Sequence, residues 1–268
     1  MCRFASEVGY HGCPSPESLR QFLSTKYLWN WRDGEGKQTL WREHRWDAAN
    51  PEWLLHASCM ETDPNNPYAY RIPLMTQQIV ALFGKEPTDL ETYSAMSQIS
   101  QAEAKKYFIE SFRIHRECRS GVIWWNLVDG WPQISDAVVD YYGRKKLAYG
   151  YIKRSQQPLA LMCDEPTDGK IGVYGVNDLR EGKTVTYCIT DLTSGKVYHK
   201  NSVYLPSDAS IRIDELEHSE GDRRFYLMEW QYDDVTGRNH YVSGMEQTLS
   251  YEEYVLCARL AGCLTKEE

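Results

Sequence analysis

Gly121-Val122-Ile123-Trp124-Trp125-Asn126-Leu127-Val128-Asp129-Gly130-Trp131-Pro132 is the stretch that decides the fold. From Val122 to Val128 it is almost continuously apolar, the pattern of a strand buried on both faces, as in a parallel sheet. Working back from it, the spacing of Leu90, Tyr93, Met96, Ile99, Phe108 and Phe112 predicts a helix from about Asp89 to His115. A shorter helix reads from about Pro73 to Phe83 and stops at Gly84. Residues 29–70 read as a long irregular segment rich in Trp, Asn, Asp and Pro, and loops of that length are more often functional than idle. Ser15-Pro16-Glu17 is a helix start, with a capping serine, a proline at the first helical position and an acid near the positive helix end. A first strand, Arg3 to Glu7, precedes the breakers Gly9, Gly12 and Pro14. Strand, loop, helices, strand is a βα unit feeding a second parallel strand. Two such strands neither close a sheet nor bury both faces. Residues 1–155 therefore read as cut from a larger α/β body, with apolar residues such as Phe4 and Ile123 poorly covered.

Downstream the regime changes. Strands are expected at Leu159–Met162, Ile171–Val176, Thr184–Asp191, Val197–Leu205, Ser210–Ile213, Arg224–Gln231 and His240–Val242. Turn signals separate most of them: Thr167-Asp168-Gly169, Arg180-Glu181-Gly182, Thr193-Ser194-Gly195, Glu220-Gly221-Asp222 and Thr236-Gly237. About seven strands so spaced predict an antiparallel β-sandwich over residues 156–268.

Composition narrows the function classes. The net charge of −8 argues against nucleic acid, whose phosphates need a basic face. Arg144-Lys145-Lys146 and Lys153-Arg154 read as solvated edges. No apolar run reaches the roughly 18 residues of a membrane span, and Met1 to Glu7 shows no signal peptide. A cytoplasmic setting is the expectation. Eight cysteines stand as singles without a CxxC pair, so buried free thiols are expected, with no zinc site and no cofactor. Nine Trp and nineteen Tyr are an unusual load. Flat rings suit the apolar faces of sugars, though from composition alone a large aromatic core is the better explanation of the number.

The chemistry gathers at two places. Phe4-Ala5-Ser6-Glu7-Val8-Gly9-Tyr10 puts a carboxylate at a strand end, where barrels of parallel strands hold their catalytic groups. A glutamate there attacks an anomeric carbon or stabilises an oxocarbenium ion. Alone it is more often an ordinary ion-pair partner. The second place is the stretch quoted first, followed by Asp140-Tyr141-Tyr142-Gly143-Arg144-Lys145-Lys146-Leu147-Ala148-Tyr149.

Together these resemble the C-terminal half of family 2 glycoside hydrolases in their β-mannosidase-like branch. Ser6-Glu7-Val8-Gly9-Tyr10 is similar to the family's Ser-Glu-aromatic-Gly motif on barrel strand seven, with Val8 for the aromatic. Trp125 to Pro132 is similar to the Trp-Gln-Leu-Asn-Asp-x-Trp-Pro motif on strand eight, with Asn126 for Gln and Val128 for Asn. The likeness is strong over residues 3–16 and 121–158 and weaker beyond. It implies the last two β/α units of a TIM (β/α)8 barrel over residues 1–155, then an immunoglobulin-like sandwich. It implies a retaining exo-β-glycosidase acting on a β-mannoside or related sugar. Glu7 is then the nucleophile, Trp125 the platform beneath the sugar, and Asp129 and Trp131 the floor and rim of the pocket. Asn126 and His11 are the further substrate-binding residues; His11 reads equally well as a packing residue.

A retaining enzyme needs a second carboxyl about 5–5.5 Å from the first. The family holds it in an Asn-Glu pair on strand four, and no Asn-Glu dipeptide occurs in this sequence. The resemblance thus implies a partner, the remainder of the barrel, lying upstream. Glu43, Glu52 and Glu61 read as solvated loop carboxylates, and His44 and His56 as part of a loop packed by its own aromatics. His115, His199, His218 and His240 carry no assigned role. The contrasting reading is a carbohydrate-binding or scaffold protein that cleaves nothing.

Overall fold

A computed structural model describes residues 2–29, 51–58, 71–219, 221–244 and 249–264. In chain order the elements are β1 (Phe4–Gly9), α1 (Pro16–Phe22), α2 (Thr25–Leu28), α3 (Pro51–Leu55), α4 (Arg71–Phe83), α5 (Leu90–Ile114), β2 (Gly121–Trp125), α6 (Leu147–Ser155), β3 (Leu159–Cys163), β4 (Lys170–Asn177), β5 (Lys183–Asp191), β6 (Lys196–Leu205), β7 (Ala209–Glu217), β8 (Arg224–Tyr232), β9 (Val235–Ser243) and α7 (Tyr251–Leu260). The chain thus mixes helices with antiparallel sheets. It divides into two compact units, one of residues 1–7, 106–123 and 150–268, the other of residues 8–105 and 124–149.

The first unit is built on two antiparallel sheets, ordered β3-β4-β7 and β6-β5-β8-β9. Val185, Tyr187 and Ile189 alternate inward along β5, and Met228 and Trp230 do so along β8. They meet Leu161, Val173 and Leu216 of the other sheet in one core. This is the period-two pattern of strands with one dry face. β3 lies wholly buried.

One turn falls elsewhere than its glycine suggests. The β8–β9 turn is Asp233-Asp234, with Asp233 at φ 47°, and not Thr236-Gly237. Gly237 instead sits within β9 opposite Trp230. A Cβ there would overlap the indole, so the glycine makes room for a tryptophan rather than turning the chain.

Helix α7 falls within a stretch expected to belong to an all-strand sandwich. Its signal is local: Ser250 Oγ accepts from the Glu253 N–H while the Glu253 carboxylate accepts from the Ser250 N–H. That reciprocal cap is a helix start in its own right. Tyr254, Cys257 and Ala258 then face inward, and the Tyr254 and Tyr151 hydroxyls lie 2.7 Å apart. Replacing Ser250 by alanine is expected to lower the unfolding free energy by about 1 kcal/mol, read as a shift in the urea midpoint at unchanged slope. An unchanged midpoint would show that the cap contributes nothing.

A polar knot lies in the same unit. The Lys106 ammonium donates to Glu110 at 2.8 Å, one helical turn on, and both side chains are buried. The second Glu110 oxygen accepts from Ser155 Oγ at 3.0 Å and from Asn239 Nδ2 at 2.8 Å. Asn239 also donates to the Leu161 carbonyl, joining α5, α6, β3 and β9.

β1 and β2 are hydrogen-bonded neighbours in a sheet of two strands. The expectation that Val122–Val128 is buried on both faces is corrected here. The strand ends at Trp125, and Ile123 is 54% exposed, with Leu127 and Val128 also exposed. Phe4 of β1 is 51% exposed. A two-stranded sheet has too few neighbours to cover both faces. The poor cover expected for Phe4 and Ile123 is therefore observed.

Candidate functional site

The second unit holds five of the six expected site residues. Glu7 belongs to the first, on β1, two residues before the strand ends. Its side chain is exposed, and no hydrogen bond or ion pair engages its carboxylate among the described residues.

After Trp125 a cis peptide leads into Asn126, and the chain is held from residue 126 to 129 by backbone bonds to residues 138 and 139. The Val138 N–H donates to the Asn126 carbonyl, the Val139 N–H to that of Leu127, and the Asp129 N–H to that of Val139. This leaves the Trp125 ring 48% exposed and Trp131 37% exposed. Trp131 stacks on His56 at 5.5 Å between ring centres, and His56 packs against Phe22. His56 thus sits among aromatics, but the rings described on it, Phe22 and Trp131, come from outside the loop whose own aromatics were expected to pack it. The carbonyl oxygen of the Asn126 side chain is shielded from solvent without a partner among the described residues.

Asp129 is buried. One oxygen accepts from Ser135 Oγ at 2.5 Å and Gln133 Nε2 at 2.7 Å. Burial pushes its carboxyl above the usual range, against the pull of Lys146 and of those two donors. Lys146, expected on a solvated edge, is in fact buried, which corrects that expectation. Its ammonium donates to the Gly12 and Ser135 carbonyls at 2.7 and 3.2 Å. Those carbonyls and the field of Asp129 replace water around it. Among its neighbours Arg144 pairs with Glu17, and Lys145 is exposed as expected.

His11 is buried as well, 5% exposed, with both ring nitrogens occupied: Nδ1 lies 3.1 Å from Asp136 and Nε2 3.2 Å from Ser58 Oγ. Arg71 donates to the same Ser58 hydroxyl. Burial pushes the Asp136 carboxyl up, but the His11 hydrogen bond, then the charges of Lys105 and Arg71, bring it below the usual carboxylate range. Gly9 passes so close that a Cβ would meet Asp136 at 2.9 Å, which explains a glycine two residues before His11. Gln101 reaches from α5 to the Tyr10 and Asp136 carbonyls. Asp136, Lys105, Lys146 and Gln101 form the inner support of the site, and sequence reasoning missed all four. Each is a polar residue in an otherwise ordinary helix or loop, and only burial reveals it.

Lys105 donates to the Trp125 carbonyl and lies 5.7 Å from the Trp124 ring centre. Burial lowers its ammonium from 10.5 to about 8, with Asp136 opposing and Lys146 reinforcing the fall. An unfolded lysine keeps its proton to about 10.5. Between these values the unfolded chain binds more protons than the folded one, so stability rises with pH across that window. The full rise is on the order of 3 kcal/mol. Tyr93, a buried phenol with a raised pKa, opposes it above the ordinary phenol value of 10.0, and the buried thiols of Cys13 and Cys163, likewise raised, oppose it from their ordinary value of 9.0. Urea unfolding at pH 7.5 and 9.5 is expected to show the native chain gaining stability relative to Lys105→Met as pH rises. Equal slopes in both would contradict the burial of a charged Lys105.

Glu52 lies on α3 and accepts from the Ser24 N–H and hydroxyl at 2.7 and 2.8 Å. Glu43, Glu61, His44, Trp41 and Trp46 lie outside the described residues. Four cysteines, Cys13, Cys163, Cys257 and Cys263, are buried free thiols. Among the described residues no group of three His, Cys, Asp or Glu is placed to hold a metal ion, and no helix is long and apolar enough to cross a membrane.

No family model matches the chain. A β-mannosidase B of Aspergillus niger is 41% identical over 78 residues, and one of Aspergillus oryzae is 40% identical over the same length. Each match spans 28% of this chain and 9% of the relative. Among solved structures, the β-D-mannosidase of Dictyoglomus thermophilum superposes with a TM-score of 0.69 at 24% identity, over 90% of this chain and 27% of that one. The exo-chitosanase of Amycolatopsis orientalis gives a TM-score of 0.61 at 18% identity, over 89% of this chain and 27% of that one. At these identities the structural likeness is one of fold, and the chain spans about a quarter of the solved proteins it matches. The chain is thus similar over part of its length to β-mannosidases, and its fold resembles a portion of the β-mannosidase-like branch of family 2 glycoside hydrolases.

Proposed function

We propose that this chain supplies the nucleophile and the sugar platform of a retaining exo-β-glycosidase acting on a β-mannoside or related sugar. The observation that carries the reading is that β1 and β2 are hydrogen-bonded neighbours and bear the two motifs, Ser6-Glu7 and Trp125 to Pro132. Residues 1–155 are read as the last two β/α units of a (β/α)8 barrel and residues 156–268 as an immunoglobulin-like sandwich. The Glu7 carboxylate attacks the anomeric carbon, the leaving oxygen takes a proton from a second carboxyl, and water then releases the sugar from its ester with Glu7. The ring of Trp125 lies beneath the sugar and that of Trp131 at the rim. The side-chain carbonyl of Asn126 accepts from a sugar hydroxyl. Asp129 and His11, both buried and both hydrogen-bonded, act as positioning residues that fix the segments bearing Trp131 and the end of β1. The second carboxyl is assigned outside residues 1–268, because the family's Asn-Glu pair is missing from this sequence.

Residues 1–268 alone are therefore expected to turn over no glycoside, since proton donation is typically worth about 10²–10⁴-fold and positioning as much or more. Aryl β-mannoside and aryl β-glucoside are the sensitive probes, because an activated leaving group needs little acid. Turnover that Glu7→Gln abolishes would place the second acid within this chain and end the proposal in this form.

A further inference from the structure

A groove of about 720 Å³ lies in the first unit, on the outward face of the sheet β6-β5-β8-β9. That volume falls in the range of small-molecule sites. The strand register arranges its floor in two rungs. Lys200, Cys188, Glu229 and Arg238 are mutual cross-strand partners and form one rung across all four strands. Ser202, Thr186, Gln231 and Thr236 form the next. One rung is charged and the other neutral with donors and acceptors. Arg154, the last arginine of α6, lies at the groove too, its guanidinium 4.5 Å from the Tyr151 ring centre.

Two observations set this face apart from an ordinary solvated sheet face. The first is charge. Three cations meet one acid, Glu229, in a chain of net charge −8. Some basic side chains elsewhere in the unit are paired: Lys183 with Asp233 at 2.9 Å, Arg224 with Asp191 at 2.8 Å, Arg113 with Asp178 at 2.7 Å. Arg154, Lys200 and Arg238 have no ion pair among the described residues. The second is Arg154 itself. Its Nε and Nη2 are shielded from solvent with no acceptor among the described residues. Shielded donors without partners are uncommon in folded proteins and call for an acceptor.

We propose that this groove binds a carboxylate-bearing oligosaccharide. Strands lie about 4.8 Å apart, so Lys200 on β6 and Arg238 on β9 are separated by roughly 14 Å of sheet. An extended ligand with repeated anionic groups spans that distance, and a compact ion such as phosphate does not. The sugar carboxylates face Lys200 and Arg238, with Arg154 at the margin. The sugar hydroxyls meet the hydroxyl and amide rung, whose side chains both donate and accept. The proposal stands on the first unit alone and does not rest on the hydrolytic reading.

The test is titration calorimetry on residues 1–268 with trigalacturonate, mannotriose and inorganic phosphate, with alkylation of Cys188 followed by peptide mass mapping. Trigalacturonate is expected to bind and to slow alkylation of Cys188, which lies on the charged rung. The double substitution Lys200→Gln and Arg238→Gln is expected to weaken that binding at least about tenfold, the loss that removing charged hydrogen bonds brings. Equal binding of mannotriose would overturn the role of the carboxylates, and phosphate binding as tightly as trigalacturonate would overturn the saccharide. No binding, or binding that the double variant retains in full, would overturn the site. Should the double variant fold poorly, the unaltered chain still decides: Cys188 alkylated equally fast with and without trigalacturonate would overturn the site.

Discussion

Replacing Glu110 by alanine is expected to destabilise the first unit by about 3–5 kcal/mol, the cost of removing one member of a buried, hydrogen-bonded ion pair. Lys106 loses its carboxylate partner at 2.8 Å, and Ser155 and Asn239 lose the acceptor of their hydrogen bonds. Each orphaned polar group adds its own desolvation penalty. Changing both members, Lys106→Met with Glu110→Leu, is expected to recover much of the loss, since a buried ion pair is often no better than apolar residues of like volume. Urea unfolding of the two single variants and the double variant closes the cycle. A loss below about 1 kcal/mol for Glu110→Ala would mean that water reaches Lys106, and that the knot is looser than its geometry.

The two sheets are legible in the sequence because alternation is clean. Val185, Tyr187 and Ile189 point one way from β5, and glycine and aspartate mark most of the bends. Reading fails where a residue has two meanings. Gly237 looks like a turn and is a place for the Trp230 indole. Val122 to Val128 reads as doubly buried because its apolar run carries no alternation, whereas here Ile123, Leu127 and Val128 are exposed beside a single neighbouring strand. α7 escapes a reading by strand alternation, although Ser250 and Glu253 announce it three residues apart.

The candidate site is legible in its outer residues only. Motifs name Glu7, Trp125 and Trp131, whose side chains are exposed. The inner layer is made of contacts between segments far apart in sequence: Lys105 with the Trp125 carbonyl, Asp136 with His11, Lys146 with Gly12. A charge within Arg144-Lys145-Lys146 reads as solvated because its neighbours are, and only folding separates Lys146 from them. His11 and Asp129 likewise prove to be buried and hydrogen-bonded.

The largest effect expected of any substitution falls on Glu7. Its carboxylate is exposed and unpaired among the described residues, so Glu7→Gln changes neither packing nor an ion pair there, and the loss should be one of chemistry alone. A neutral amide does not attack an anomeric carbon, and removing an attacking group elsewhere lowers turnover by as much as about 10⁶-fold. The measurement is made in a chimera in which this chain replaces the matching segment of the Dictyoglomus thermophilum β-D-mannosidase, whose fold covers 90% of it. That protein supplies the residues outside the matched segment. With aryl β-mannoside as substrate and folding verified by a cooperative thermal transition in both forms, the chimera is expected to turn over. Its Glu7→Gln form is expected to fall by more than about 10⁴-fold in kcat. A chimera that keeps its activity when Glu7 becomes glutamine would contradict the assignment of the nucleophile.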